Sequence, residues 1–167
     1  MKIAFLSQMG FTGKIPRNHP NMRTEFAQMC ALNADHYPLY DVDKITEGYD
    51  HIILMIPKTQ KDRDSLYNID IVKKARRVGK YVWFMQEGPN WIFQDLPIHQ
   101  QFWHYNVLME VDGILTENRS DIPYFRGLVG GDKPVETIPS LMITDDVVPR
   151  NEWSDVVILG GNFVHWY

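Results

Sequence analysis

The chain has 167 residues, enough for one domain with its own core and too short for two of full size. An apolar share of 44% and a charged share of 23% are those of a globular protein and exclude a disordered or fibrous one. The net charge of −4, with no basic stripe, argues against nucleic acid as a partner.

Lys2–Ser7 reads as a buried first strand, because its apolar run KIAFL ends in a polar, glycine-containing loop. The same run is too short for the apolar region of a signal peptide. The loop Gln8–Pro20 is long for a strand-to-helix connection, and such loops are often functional. Asn21 is the expected N-cap of a helix whose apolar face is Met22, Phe26, Met29 and Cys30. Cys30 is the only cysteine, so an intrachain disulfide is excluded and a reducing, cytoplasmic setting is expected.

His36–Tyr40 reads as the second strand and Asp50–Ile56 (DHIILMI) as the third, stopped by Pro57. The spacing of Leu66, Ile69, Val72, Ala75 and Val78 predicts a helix over Asp64–Val78, ended by Gly79. Lys73, Lys74, Arg76 and Arg77 fall on its outer face, where solvation is favoured over phosphate binding. Lys80–Met85 is the fourth strand, and Gln86–Trp91 is the loop behind it. Ile98–Glu110 reads as a helix and Gly113–Thr116 as a fifth strand. Ser120 is the expected cap of a helix over Asp121–Leu128, with Pro123 in its first turn. Val135–Ile138 is the sixth strand, closed by Pro139. Leu141–Trp153 reads as a linker, and Asp155–Leu159 as one more strand leading to Gly160 and Gly161. The expected organisation is thus a domain over 1–140, a linker over 141–154, and the start of a truncated second domain over 155–167. No apolar run approaches the ~20 residues that span a bilayer.

Strands alternating with helices predict an α/β fold: a Rossmann-like, mainly parallel sheet with helices on both faces. Ligands of such sheets bind outside the carboxyl ends of the strands. That rule selects Gln8–Gly13, Pro57–Thr59, Gln86–Trp91 and Glu117–Arg119. Gly10 and Gly13 are candidate ligand contacts, since bare backbone there lets N–H groups approach a phosphate or sugar; a plain turn explains them equally. Glu87 is the candidate catalytic carboxylate, beside Gly88 and Pro89 with Trp91 nearby, in an aromatic setting that raises a glutamate's proton affinity. Its structural alternative is a loop-capping carboxylate. Arg119 offers a bidentate grip on a phosphate or carboxylate; the alternative has Asn118 capping a helix, with Glu117 and Arg119 solvated. His19, His99, His104 and His165 show no metal-ligand spacing, so no metal is expected. Aromatics reach 13% of the chain, and Trp91, Phe93, Phe102, Trp103 and Tyr105 cluster after the fourth strand. Sugars stack on such rings, but a local core explains most of them.

The segments KIAFLSQMG, YDHIILMIPKT, YVWFMQEGPNW, VDGILTENRSDIPYF, KPVETIPSLMIT and VVILGGNFVHWY together resemble the N-terminal domain of a GT-B type glycosyltransferase. The likeness covers nearly the whole chain as a pattern; Ser140 and Leu141 stand where the family has Asn-Gly. It implies an acceptor-side domain, a nucleotide sugar as co-substrate in place of a cofactor, and a sugar-type acceptor whose hydroxyl Glu87 would deprotonate if the reaction inverts. Glu117, Asn118, Arg119, Trp91, Gly10 and Gly13 would then line the ligand. It also implies an exposed apolar patch where the second domain packs, and self-association through that surface. Two other readings stand beside it. One is a stand-alone Rossmann-like or flavodoxin-like module that binds a nucleotide or other small molecule without chemistry. The other is a small hydrolase or nucleoside-processing enzyme using Glu87.

Overall fold

Every residue of Ile3–Ser7 is buried, a pattern that requires cover on both faces of a strand. A computed structural model of the protein describes residues 1–56, 70–86 and 96–143. In it β1 (Ile3–Ser7), β2 (Asp35–Pro38), β3 (Tyr49–Met55), β4 (Gly79–Gln86), β5 (Gly113–Thr116) and β6 (Val135–Thr137) form one sheet. The order is β2-β1-β3-β4-β5-β6, and every neighbouring pair is parallel. The expected α/β, Rossmann-like architecture is therefore present.

The connections decide which face each helix covers. From β1 the chain steps outward to β2 through α1 (Thr24–Ala31). From β3 it steps the other way, one strand at a time, through α2 (Ile71–Ala75), α3 (Ile98–Glu110) and α4 (Ile122–Val129). Crossovers of one hand place helices on opposite faces when the direction of travel reverses. The two cores show this division. Ile3, Phe5, Ile53, Met55 and Met85 pack with Phe26 and Met29 of α1 on one face. Ala4, Leu6, Ile52, Leu54, Phe84 and Ile114 pack with Val72, Leu108 and Phe125 of the other helices on the opposite face. Alternate residues of β1 and β3 thus enter different cores, as the strand period demands.

Several expected boundaries move. The second strand is Asp35–Pro38, set by its register against β1 from Ala4↔Asp35 to Ser7↔Pro38; a 3-10 turn over Leu39–Lys44 follows it. Asn21 does not cap α1. The cap is Arg23, in extended backbone without a side-chain bond, because Pro16–Met22 is taken up by turns closed on Pro16 and His19 carbonyls. Ser120 does not cap α4 either. Asn118 Oδ1 accepts from Ser120 N at 3.2 Å and opens a 3-10 turn over Arg119–Asp121, with α4 beginning after it. In the described part of the Asp64–Val78 prediction the helix runs only over Ile71–Ala75, with Asp70 Oδ1 accepting from Lys73 N. The basic residues there are not merely solvated: Lys74 pairs with Asp43, and Arg76 grips Asp112 with bonds of 2.9 and 3.0 Å. Phe102 and Tyr105 are exposed rather than core, leaving Trp103 as the partly buried member of the described cluster.

Candidate functional site

The direction of travel reverses between β1 and β3, so the carboxyl ends of these strands form the crevice where open α/β sheets hold ligands. β1 ends there in Ser7, β4 in Gln86 and β5 in Thr116, all three buried polar residues at the rim of an apolar sheet. Two clusters stand on this rim, on either side of α1.

The first cluster closes the loop behind β1. Ser7 Oγ lies 2.7 Å from His36 Nε2, and His36 Nδ1 lies 2.8 Å from the carbonyl of Phe11. A carbonyl only accepts, so Nδ1 carries the proton, and Nε2 of the neutral ring accepts from the Ser7 hydroxyl. The hydroxyl oxygen in turn accepts from Met9 N at 3.2 Å. Phe11 lies flat on the imidazole, with ring centres 4.0 Å apart, and meets Phe26 of α1 edge-on at 5.7 Å. Gly13 exchanges both backbone bonds with His36, at 2.8 and 2.9 Å, so the loop also pairs with the outer edge of β2. Gly13 holds φ at +108°, a conformation that side chains disfavour, which explains glycine there. Gly10 faces open space. Burial depresses the proton affinity of His36, and the Phe11 carbonyl only partly offsets it. The neutral ring is the stable form.

The second cluster joins α1 to the ends of β5 and β6. Gln28, fully buried on α1, donates through Nε2 to Glu117 Oε1 at 3.1 Å and to the Pro139 carbonyl at 3.0 Å. These two acceptors orient the amide. Its Oε1 is buried and has no hydrogen-bond partner among the described residues, a state that costs about 1–3 kcal/mol. Glu117 is half-buried, so its carboxylate is fixed by Gln28 yet remains at the rim. Thr116 Oγ1 accepts from Asn118 N at 3.2 Å, and Asn118 Nδ2 reaches Asp121 Oδ1 at 3.3 Å.

The site residues expected from sequence divide accordingly. Gly13 is pinned against β2, Glu117 is drawn into the rim, and Asn118 serves as a cap. Arg119 is exposed in the 3-10 turn. Glu87 and Trp91 lie outside the described residues. Ser7, His36 and Gln28 escaped the sequence reading. A histidine in a short edge strand and a glutamine on an apolar helix face carry no spacing that marks them; only pairing brings them to the rim. Among the described residues no group of three or more His, Cys, Asp or Glu side chains is placed to hold a metal ion, and no helix is long and apolar enough to cross a membrane.

Comparisons of the chain with protein-family models, with curated proteins and with solved structures found no match in any of the three. The fold and rim define a class, an α/β domain with a parallel sheet and a polar carboxyl edge.

Proposed function

We propose that this chain is the acceptor-side domain of a glycosyltransferase that moves a sugar from a nucleotide-sugar donor to an acceptor hydroxyl. The observation that supports it is Glu117: a carboxylate at the carboxyl edge, held by a buried glutamine rather than left to solvent. A carboxylate so placed accepts a hydrogen bond from a ligand hydroxyl and orients it. In the transfer the acceptor oxygen forms its bond to the anomeric carbon as the bond to the donor phosphate breaks. The acceptor proton goes to a carboxylate, and the nucleotide leaves. Glu87, which follows β4 in the sequence, is the proposed base, with Trp91 as a stacking surface and Gly10, Asn118 and Arg119 around the ligand.

The apolar stripe of α3 belongs to the same reading. Ile98, Phe102, Tyr105 and Met109 recur at helical spacing and are exposed, beside a cavity of about 320 Å³ whose walls include Tyr124 and Leu128 of α4. Such a stripe supports packing against another domain or a second copy. The single free thiol, Cys30, donates to the Ile15 carbonyl, and burial raises its pKa; an inert thiol suits the proposed cytoplasmic setting.

The test uses protein made from the longest reading frame containing these residues. Nucleotide release from a panel of nucleotide sugars, stimulated by sugar acceptors, is the expected result. Glu87→Gln should lower turnover by about 10²–10⁴-fold, while Glu117→Gln raises KM for the acceptor. Both variants should unfold at the wild-type denaturant midpoint. Ligand binding without turnover would instead establish a binding module. Neither binding nor turnover with any donor would overturn the proposal.

A further inference from the structure

We propose that His36 is the positioning residue of the loop behind β1, and that its protonation releases this loop from the sheet. Three contacts converge on the one side chain. Its Nδ1–H donates to the Phe11 carbonyl, its Nε2 accepts from Ser7, and its ring face carries the Phe11 ring. Its own backbone exchanges both bonds with Gly13. The loop Gln8–Gly13 is therefore tied to β2 at Phe11 and Gly13, and to the end of β1 through Met9 N on Ser7 Oγ.

The latch is matched to the neutral ring. When Nε2 gains a proton it becomes a donor, and the Ser7 hydroxyl must give up its bond to the ring and turn its hydrogen elsewhere. The Ser7 oxygen would then receive Met9 N–H and Nε2–H together. The new charge would sit in a site fully closed to solvent.

Among the described residues, none of the ring's hydrogen-bond or stacking partners is a carboxylate. From β1 the ring meets Ser7, from the loop Phe11, and from α1 the Phe26 ring behind Phe11. Cys30 on α1 is turned to the Ile15 carbonyl. His19 stands against the far side, edge-on to Phe26 at 5.0 Å. The neighbours of His36 along β2 point elsewhere: Asp35 accepts from Tyr49 and faces Lys14, and Tyr37 bonds to Tyr49. Lys14 itself is held by Asn33. Glu25 is paired with Arg23.

The sign follows from linkage. With the loop open the imidazole is exposed and titrates near its ordinary value of about 6.5; with the loop closed it resists the proton. The open form thus binds more protons, and the opening constant grows by up to about tenfold for each pH unit below 6.5. Above that value the latch is closed. The loop borders the crevice of the sheet, so acid would withdraw one wall of it. This holds whatever ligand the crevice takes, and it does not rest on the transferase reading.

Amide hydrogen exchange, read residue by residue by NMR without any ligand, tests the latch. Protection factors at Gly13 and His36 should fall about fivefold between pH 6.5 and 5.5, while amides of β3 and β4 keep theirs. His36→Gln retains one donor and one acceptor but does not titrate, so its protection at Gly13 should be independent of pH over this range. Nitrogen chemical shifts of the wild-type imidazole should show Nδ1 protonated at pH 7.5, a readout that needs no variant. Protection at Gly13 that stays flat in wild type, or falls in step with β3 and β4, would overturn the proposal, as would the opposite tautomer.

Discussion

The carboxylate of Asp112 serves three donors at once. Arg76 contributes two bonds, at 2.9 and 3.0 Å, and Val82 N a third at 2.7 Å, while the same guanidinium reaches the Glu110 carbonyl at 2.6 Å. Burial alone pushes the Asp112 carboxyl up; the bonds from Arg76 and Val82, with the charges of Arg76 and Lys133, overturn this and hold it below the usual carboxylate range. Its stabilisation is therefore complete above the ordinary aspartate value of about 3.9 and is lost as pH falls through the lower folded value. Both partners are partly exposed, which screens the pair. Asp112→Asn should lower unfolding free energy by about 1–2 kcal/mol at pH 7. The difference from wild type should shrink as pH falls through the lowered folded value, measured by urea titration at each pH. Beside it Gly113 has no freedom to change, since a Cβ there would overlap the Trp83 ring lying across it. The aspartate before the fifth strand was visible in the sequence. Its partner, 36 positions earlier on a face read as solvated, was not.

At the scale of elements, α3 shows what a helix end requires. Its last carbonyls point toward the turn before β5 with no intrahelical donor. Lys133, from the loop before β6, supplies one ammonium to the carbonyls of Leu108, Met109 and Val111 at 2.7, 2.7 and 2.5 Å. Burial pulls its pKa below the ordinary lysine value, with Asp112 opposing that shift. Lys133→Met keeps the aliphatic stem and leaves three carbonyls without their donor, so stability should fall by about 1–3 kcal/mol with an unchanged urea m-value. The bounds of α3 and β5 were legible, because thirteen helical residues follow Pro97 and a four-residue apolar strand follows Asp112. The starts of α1 and α4 were not. Asn21 and Ser120 are both good caps in isolation, but turns at His19 and at Asn118 claimed the backbone first. Local preference is a weak guide where a neighbouring turn competes for the same donors.

For the whole molecule, the uneven distribution of helices matters most. Among the described residues one eight-residue helix, α1, packs on one face, while α2, α3 and α4 share the other. On the α1 face a cavity of about 180 Å³ remains over the sheet, bordered by Ile3, His51, Ile53, Trp83 and Leu115, and on the other face α3 turns its apolar stripe outward. If the stripe drives self-association, sedimentation velocity should show mass rising with protein concentration, and Phe102→Glu should keep the protein monomeric. Because Phe102 is exposed, that change should leave the unfolding free energy within about 0.5 kcal/mol of wild type. A wild-type chain monomeric at all concentrations would remove the stripe from the argument.

The sequence by itself determined the class of fold. Short apolar runs alternating with amphipathic stretches admit one economical arrangement, a parallel sheet with crossover helices, and residues of β1, β3, β4 and β5 were each found within two positions of where the pattern put them. Only the tertiary structure decided the strand order, and with it the crevice between β1 and β3. Strand order depends on which edges pair, and pairing joins residues far apart in the chain. For the same reason Ser7 and His36, 29 positions apart, and Gln28 and Glu117, 89 apart, became neighbours on one rim. Their chemistry lies in the meeting, and neither residue alone announces it.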